Sequence, residues 1–108
     1  MIQWRVEVLD QAIGEIETWP TEVRAALTKI VERIEAVGLT GIHEPHVKHL
    51  QGKLWEMRPS AGGNDGRALY VTAAGRRVVI VAAFMKKTRK TPPRMIEVAL
   101  ERAKGIRA

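Results

Sequence analysis

Cysteine is absent from the 108 residues, which excludes a disulfide framework, a thiolate nucleophile and a cysteine-ligated zinc site. Aromatic residues are few, three Trp, one Tyr and one Phe, so Tyr70 is the only phenol. No apolar window approaches the length of a membrane span, and the opening MIQWRVEVLD lacks the basic-then-apolar order of a signal peptide. The cytoplasm is therefore the expected compartment, with no membrane partner. Also missing are a G-x-S-x-G elbow, a Walker loop and an H-E-x-x-H pair, and the glycines of SAGGNDG lack the strand-to-helix setting of a dinucleotide fingerprint. Without repeats, low-complexity tracts or linkers, residues 1–108 are expected to form one domain with one modest core.

Positive charge is what the sequence has in excess. The net charge is +6 and the pI is about 10.2. Residues 1–45 carry four Lys and Arg against eight acids, whereas residues 46–108 carry fourteen against four. Such asymmetry predicts a basic face and an anionic partner, nucleic acid before an acidic protein or a membrane surface. The densest point is FMKKTRKTPPR, where an apolar run, VVIVAAFM, ends in five cations, four before a double proline and Arg94 just after it.

Hydrophobic periodicity predicts the elements. Ile2, Trp4, Val6 and Val8 alternate with Gln3, Arg5 and Glu7, the pattern of a half-buried strand. Asp10 is placed to cap a short helix carrying Ile13 and Ile16. Pro20 suits the first turn of a second helix, whose Val23, Leu27, Ile30, Ile34 and Val37 share a face up to Gly38 at the C-cap. Residues 38–52 read as turns holding His43, His46 and His49, whose spacing would suit a helical metal site if Pro45 did not interrupt it. Loop histidines are favoured there, and contact of one of them with an anionic ligand stays open.

Next, 53–58 reads as a strand with Trp55 and Met57 inward and Glu56 and Arg58 outward. A Gly-rich loop leads to a strand over 67–72, the AAGR turn, and a strand over 78–84 whose unbroken apolar run predicts cover on both faces. Thr91-Pro92-Pro93 opens a last helix carrying Met95, Ile96, Ala99, Leu100 and Ala103. The order strand-helix-helix-strand-strand-strand-helix predicts an α+β fold with a small, mostly antiparallel sheet.

The chemistry-bearing residues are cations at strand positions and strand ends, with Glu56 the one carboxylate among them. This set suits cleavage of RNA by its own 2′-hydroxyl, which needs charge stabilisation at phosphorus and proton transfer, and needs neither metal nor protein nucleophile. Arg58 and Arg67 would fork onto phosphate oxygens, while Lys86, Lys87 and Glu56 are available to handle protons. The plainer alternative is a surface ion pair of Glu56 with Arg58 or Arg67.

KLWEMR, R-x-L-Y and FMKKTRKTPPRMIEVA together resemble the RelE/ParE toxin superfamily, above all its phage-derived HigB-like branch. The resemblance runs along nearly the whole chain. It implies a RelE-like fold and an endoribonuclease that cleaves mRNA on the translating ribosome without a metal or other cofactor. It also implies neutralisation by a cognate antitoxin, often a helix-turn-helix protein. Carried over by motif, it puts catalytic weight on Arg58, Arg67, Lys86 and Lys87 and includes Glu56. RNA contacts are expected at Lys53, Tyr70, Arg89, Lys90 and Arg94. The alternative within the superfamily is a ParE-like poison of DNA gyrase that cuts no nucleic acid.

Overall fold

The computed structural model of the chain describes residues 3–107. Strand β1 (Arg5–Val8) is followed by α1 (Asp10–Glu17) and α2 (Thr21–Val37). Strands β2 (Val47–Gln51), β3 (Leu54–Met57), β4 (Ser60–Ala61), β5 (Asn64–Ala73) and β6 (Arg77–Met85) then run consecutively, before α3 (Pro93–Ala103) closes the chain. Across the sheet the order is β1-β6-β5-β3-β2, with β4 a short addition to β5. Among the described residues only β1 and β6 pair in parallel. The α+β, mostly antiparallel architecture expected from the sequence is the one observed. Ile2, read as the first inward residue of β1, lies outside the described residues.

The sheet is covered on both faces because its central strands are apolar on both. From β6, Val78 and Ile80 pack with Val23, Leu27, Ile30 and Ile34 of α2, while Val79 and Val81 pack with Leu69, Val71 and Ala99 against α3. The β5–β6 register slips between Leu69 and Tyr70, which pair with Ala82 and Ile80 and leave Val81 as the extra residue. That bulge turns both Val81 and Ala82 toward α3. Beyond the end of β1, the edge of β6 is closed by side chains. Arg102 Nη1 donates to the Val81 carbonyl at 2.9 Å, and the Ala83 amide donates to Glu15 Oε1 at 3.0 Å. The two side chains meet in a bidentate pair at 2.9 and 3.0 Å, so α1, α3 and β6 are joined at one point.

Three local expectations are corrected. Val47–Gln51, placed among the turns, is an edge strand paired with β3. The stretch PSAGGNDG is a tight hairpin, not an open loop: Gly62 and Gly63 have φ of 60° and 78°, and β5 starts at Asn64. In β3 the burial is reversed at two positions. Trp55 is 39 % exposed and Glu56 only 3 %, because the face carrying Leu54 and Glu56 lies on the α3 side while Trp55, on the other, is covered only in part, His49 packing beside it. A smaller change is at α1, where Leu9 holds the N-cap position and Asp10 is the first helical residue.

Candidate functional site

Glu56 sits where β3, β5 and the segment after β6 come together. It faces Lys48 across the β2–β3 ladder and Leu69 across β3–β5. Its Oε1 lies 3.6 Å from Arg58 Nε and 3.7 Å from Arg67 Nε, and its Oε2 accepts a 2.7 Å hydrogen bond from the Thr91 hydroxyl. Each oxygen is therefore committed: one to two guanidinium groups, the other to the turn that opens α3. This is not the exposed surface pair weighed from the sequence. Burying a carboxylate is costly unless it is paired, and here the partners outnumber it.

Arg67 is held from several sides. It is 5 % exposed, and its Nη1 donates to the Gly66 carbonyl at 2.7 Å. Burial lowers its pKa, the neighbouring Arg58 lowers it further, and Glu56 and Asp65 oppose both. Gly66 must be glycine for this placement, since a Cβ there would meet the Trp19 ring and a Val23 methyl at 2.9 Å. β5 thus approaches α2 and the turn before it closely at the residue before Arg67. Arg58, one in four of its side chain exposed, has a buried Nε with no hydrogen-bond partner. Lys86 is fixed through its backbone, whose amide donates to the Asp65 carbonyl at 2.8 Å. The Asp65 carboxyl is held below the usual range by the Ser60 hydroxyl, which donates to it at 2.6 Å, and by Arg67, Lys86 and Arg58.

These groups line a cleft of about 300 Å³ between β2 and the segment leading to α3. Its walls carry Lys48, Arg58, Arg67, Lys86, Arg89 and Lys90 against Glu56, six cations to one carboxylate. Arg58, Arg67 and Lys86 also line a second groove beside α2, together with His46, Asp65 and Lys29. The three cations stand on the ridge between the two depressions.

Of the ten site residues read from the sequence, the cleft brings together Glu56, Arg58, Arg67, Lys86, Arg89 and Lys90. Lys87 is exposed and lines a different depression, beside α1 with Glu15 and Trp19. Lys53 lies exposed in the β2–β3 turn, and Arg94 is exposed on the first turn of α3. Tyr70 is 2 % exposed on the α2 side of the sheet, where burial pushes its phenol up to about 12, so it stays neutral. The three histidines do not converge: His43 lines a groove near β2, His46 the groove beside α2, and His49 Nε2 lies 2.8 Å from the Gly52 carbonyl. Sequence reasoning missed Lys48 and Thr91. Lys48 belongs to the unrecognised strand β2, and its neighbour Val47, buried where Lys48 is exposed, was the available signal. Thr91 was read only as the start of α3.

The fold is that of RelE-type toxins. It matches a mutant of the Escherichia coli toxin RelE in the free state, with a TM-score of 0.68 and 14% identity over 93% of this chain and 97% of that one. It also matches the archaeal RelE–RelB complex of Pyrococcus horikoshii, with a TM-score of 0.59 and 18% identity over 77% of this chain and 94% of that one. The toxin–antitoxin complex RelBE2 of Mycobacterium tuberculosis gives a TM-score of 0.59 and 17% identity over 79% and 100% of the two chains. In sequence, residues 14–104 match the family of phage-derived Gp49-like proteins, and the chain belongs to that family. A relative from Mycobacterium tuberculosis, the probable endoribonuclease HigB1, is 32% identical over 90 residues, covering 83% of this chain and 69% of the relative.

Proposed function

We propose that the chain is the toxin of a type II toxin–antitoxin pair, an endoribonuclease that cuts mRNA on the translating ribosome in the cytoplasm. The observation that carries this reading is the cation ridge: two guanidinium groups share a single buried carboxylate, Lys86 lines the same cleft, and the buried Arg58 Nε has no hydrogen-bond partner. An excess of positive charge held in place is what a phosphate in transition requires. Membership of a family with a relative named as an endoribonuclease supports the same reading.

In this scheme the 2′-oxygen of one nucleotide attacks the adjacent phosphorus and the bond to the 5′-oxygen breaks. A 2′,3′-cyclic phosphate and a 5′-hydroxyl result; one proton leaves the 2′-oxygen and one is added to the departing oxygen. Arg58, Arg67 and Lys86 stabilise the charge that gathers on the non-bridging oxygens. Glu56 acts as a positioning residue, since both of its oxygens are engaged. Lys48, Arg89 and Lys90 hold the flanking backbone. Lys53, Lys87 and Arg94 lie outside the cleft and contribute long-range attraction to ribosomal RNA. Tyr70 belongs to the scaffold. The scheme calls for no metal or cofactor. The partner implied is an antitoxin that blocks or distorts the ridge; two of the matching structures are toxin–antitoxin complexes. The gyrase-poison alternative has no comparable support.

The test is to incubate the purified chain with ribosomes carrying a defined message and to map the products. Cuts inside the reading frame that leave cyclic phosphate ends are expected. Intact message with arrested DNA replication in cells expressing the chain would sink the proposal.

A further inference from the structure

Trp55 is an unexpected exposure. It is 39 % accessible on β3, directly opposite His49 on β2, with ring centroids 5.0 Å apart and planes tilted by 59°. The two rings form one side of a groove of about 700 Å³. An indole left open to water costs the fold apolar burial, and the neighbouring Leu54 and Met57 show that this strand buries apolar side chains readily.

The groove does not stand apart from the cation cleft. Lys48 and His49 line both, so the two depressions meet over the β2 edge of the sheet. Trp55 lies in β3 and Arg58 just past its end, three residues on and roughly 10 Å along the backbone at the usual rise, and the odd spacing turns their side chains to opposite faces of the sheet. A single RNA strand whose phosphate rests on the ridge therefore reaches the aromatic face by crossing the β2 edge, where Lys48 and His49 line both depressions. Cations along a track with aromatic rings beside it are the arrangement that holds unpaired nucleic acid, because every base has a face to stack. The lining of the groove is mainly apolar, which suits the face of a base, and Lys48, shared with the cleft, carries the cation track into it.

We infer that Trp55, supported by His49, is a stacking subsite for one unpaired base of the message beside the cleaved bond. This rests on the proposed nuclease reading and extends it to how the message is held. The experiment uses the intact chain on ribosomes carrying a defined message, with wild type, Trp55→Ala, Trp55→Phe and Arg67→Ala compared. Trp55→Ala is expected to raise KM by roughly 5- to 150-fold, the usual worth of one stacked base, with kcat little changed, and Trp55→Phe is expected to recover most of the loss. An abasic nucleotide placed in turn on either side of the cut should, at one position, weaken wild type and leave Trp55→Ala no worse than on normal message. Unchanged KM in Trp55→Ala while Arg67→Ala is inactive would overturn the subsite and leave the nuclease reading standing. So would abasic penalties that are equal in wild type and Trp55→Ala, or a Trp55→Ala effect confined to antitoxin affinity, which would assign the groove to that protein. No cleavage by wild type would instead defeat the nuclease reading itself.

Discussion

Glu15 and Glu56 each hold arginine against the sheet, and they do so in opposite ways. Glu15 faces one guanidinium in a bidentate pair at 2.9 and 3.0 Å, and the remaining donors and acceptors nearby go to the β6 backbone. Glu56 faces two, through one oxygen, at 3.6 and 3.7 Å, and Arg58 Nε is left without a hydrogen-bond partner. The first arrangement is closed and has nothing to offer a ligand. The second is short of negative charge, and its missing partner is an anion. The contrast separates an ion pair that completes the fold from one that the fold keeps incomplete.

The largest effect that tests the contrast is loss of Arg67. Arg67→Ala is expected to slow message cleavage by about 10²–10³-fold, the cost of removing one donor from a transition-state site. Stability is expected to fall as well, by about 1–3 kcal/mol, because Arg67 is buried beside Glu56 and its bond to the Gly66 carbonyl is lost, so the rate is compared per folded molecule. Cleavage kinetics and a thermal melt of the same preparation decide it. A variant that folds and cleaves at the normal rate would move the site away from the ridge.

Glu15→Ala is expected to cost stability alone. It strands Arg102 and removes the acceptor for the Ala83 amide, at a site with 21 and 30 % of the two side chains exposed. With that exposure discounting the charge term, a loss of about 1–2 kcal/mol is expected, with cleavage per folded molecule unchanged at low temperature. Equal losses of activity and stability would erase the distinction between the two carboxylates.

The middle of the scale belongs to Glu56 and its hydroxyl partner. Glu56→Gln keeps an acceptor for Thr91 but removes the charge between two guanidiniums, so they are expected to separate and cleavage to fall about tenfold, or about 1.4 kcal/mol. Thr91→Val should cost a few-fold and Thr91→Ser should restore it, since only the hydroxyl reaches Glu56. If Glu56 were the base, Glu56→Gln would flatten the acid limb of the pH–rate profile; a positioning role leaves that limb in place.

The same contrast marks what could be read in the sequence. Helix α2 and strand β6 were legible because their apolar residues follow one period without interruption, over Val23–Ile34 and Val78–Ala83. Strand β2 was hidden: Pro45 and Gly52 bracket six residues, of which only Val47 is buried. The cations of the ridge were legible as motif positions. Their arrangement was not, because alternation along β3 says that Trp55 and Glu56 face opposite ways but not which face receives a helix. That answer depends on where α2 and α3 lie, a tertiary fact. Lys87 shows the same limit, as its neighbour Lys86 turns into the cleft and it turns toward α1.

The smallest effect concerns a third carboxylate, Glu7, which belongs with Glu15 as a closed pair. Arg77 Nε and Nη2 donate to its two oxygens at 2.8 and 2.9 Å and pin β1 to β6. The hydrogen bonds from Arg77 hold the Glu7 carboxyl below its ordinary value of 4.5, outweighing the partial desolvation that acts the other way. A carboxyl with a lower pKa folded than unfolded binds fewer protons when folded, so its contribution is complete above about pH 5 and is lost as pH falls through 4.5 toward the folded value. The pair is exposed, so the contribution is small and screened by salt. Melting temperatures of wild type and Glu7→Gln, followed from pH 7 to pH 3 at low ionic strength, should differ modestly at neutral pH and converge in acid. Curves that stay parallel throughout would show that the Glu7 charge contributes nothing, and that two short hydrogen bonds alone do not make a closed pair.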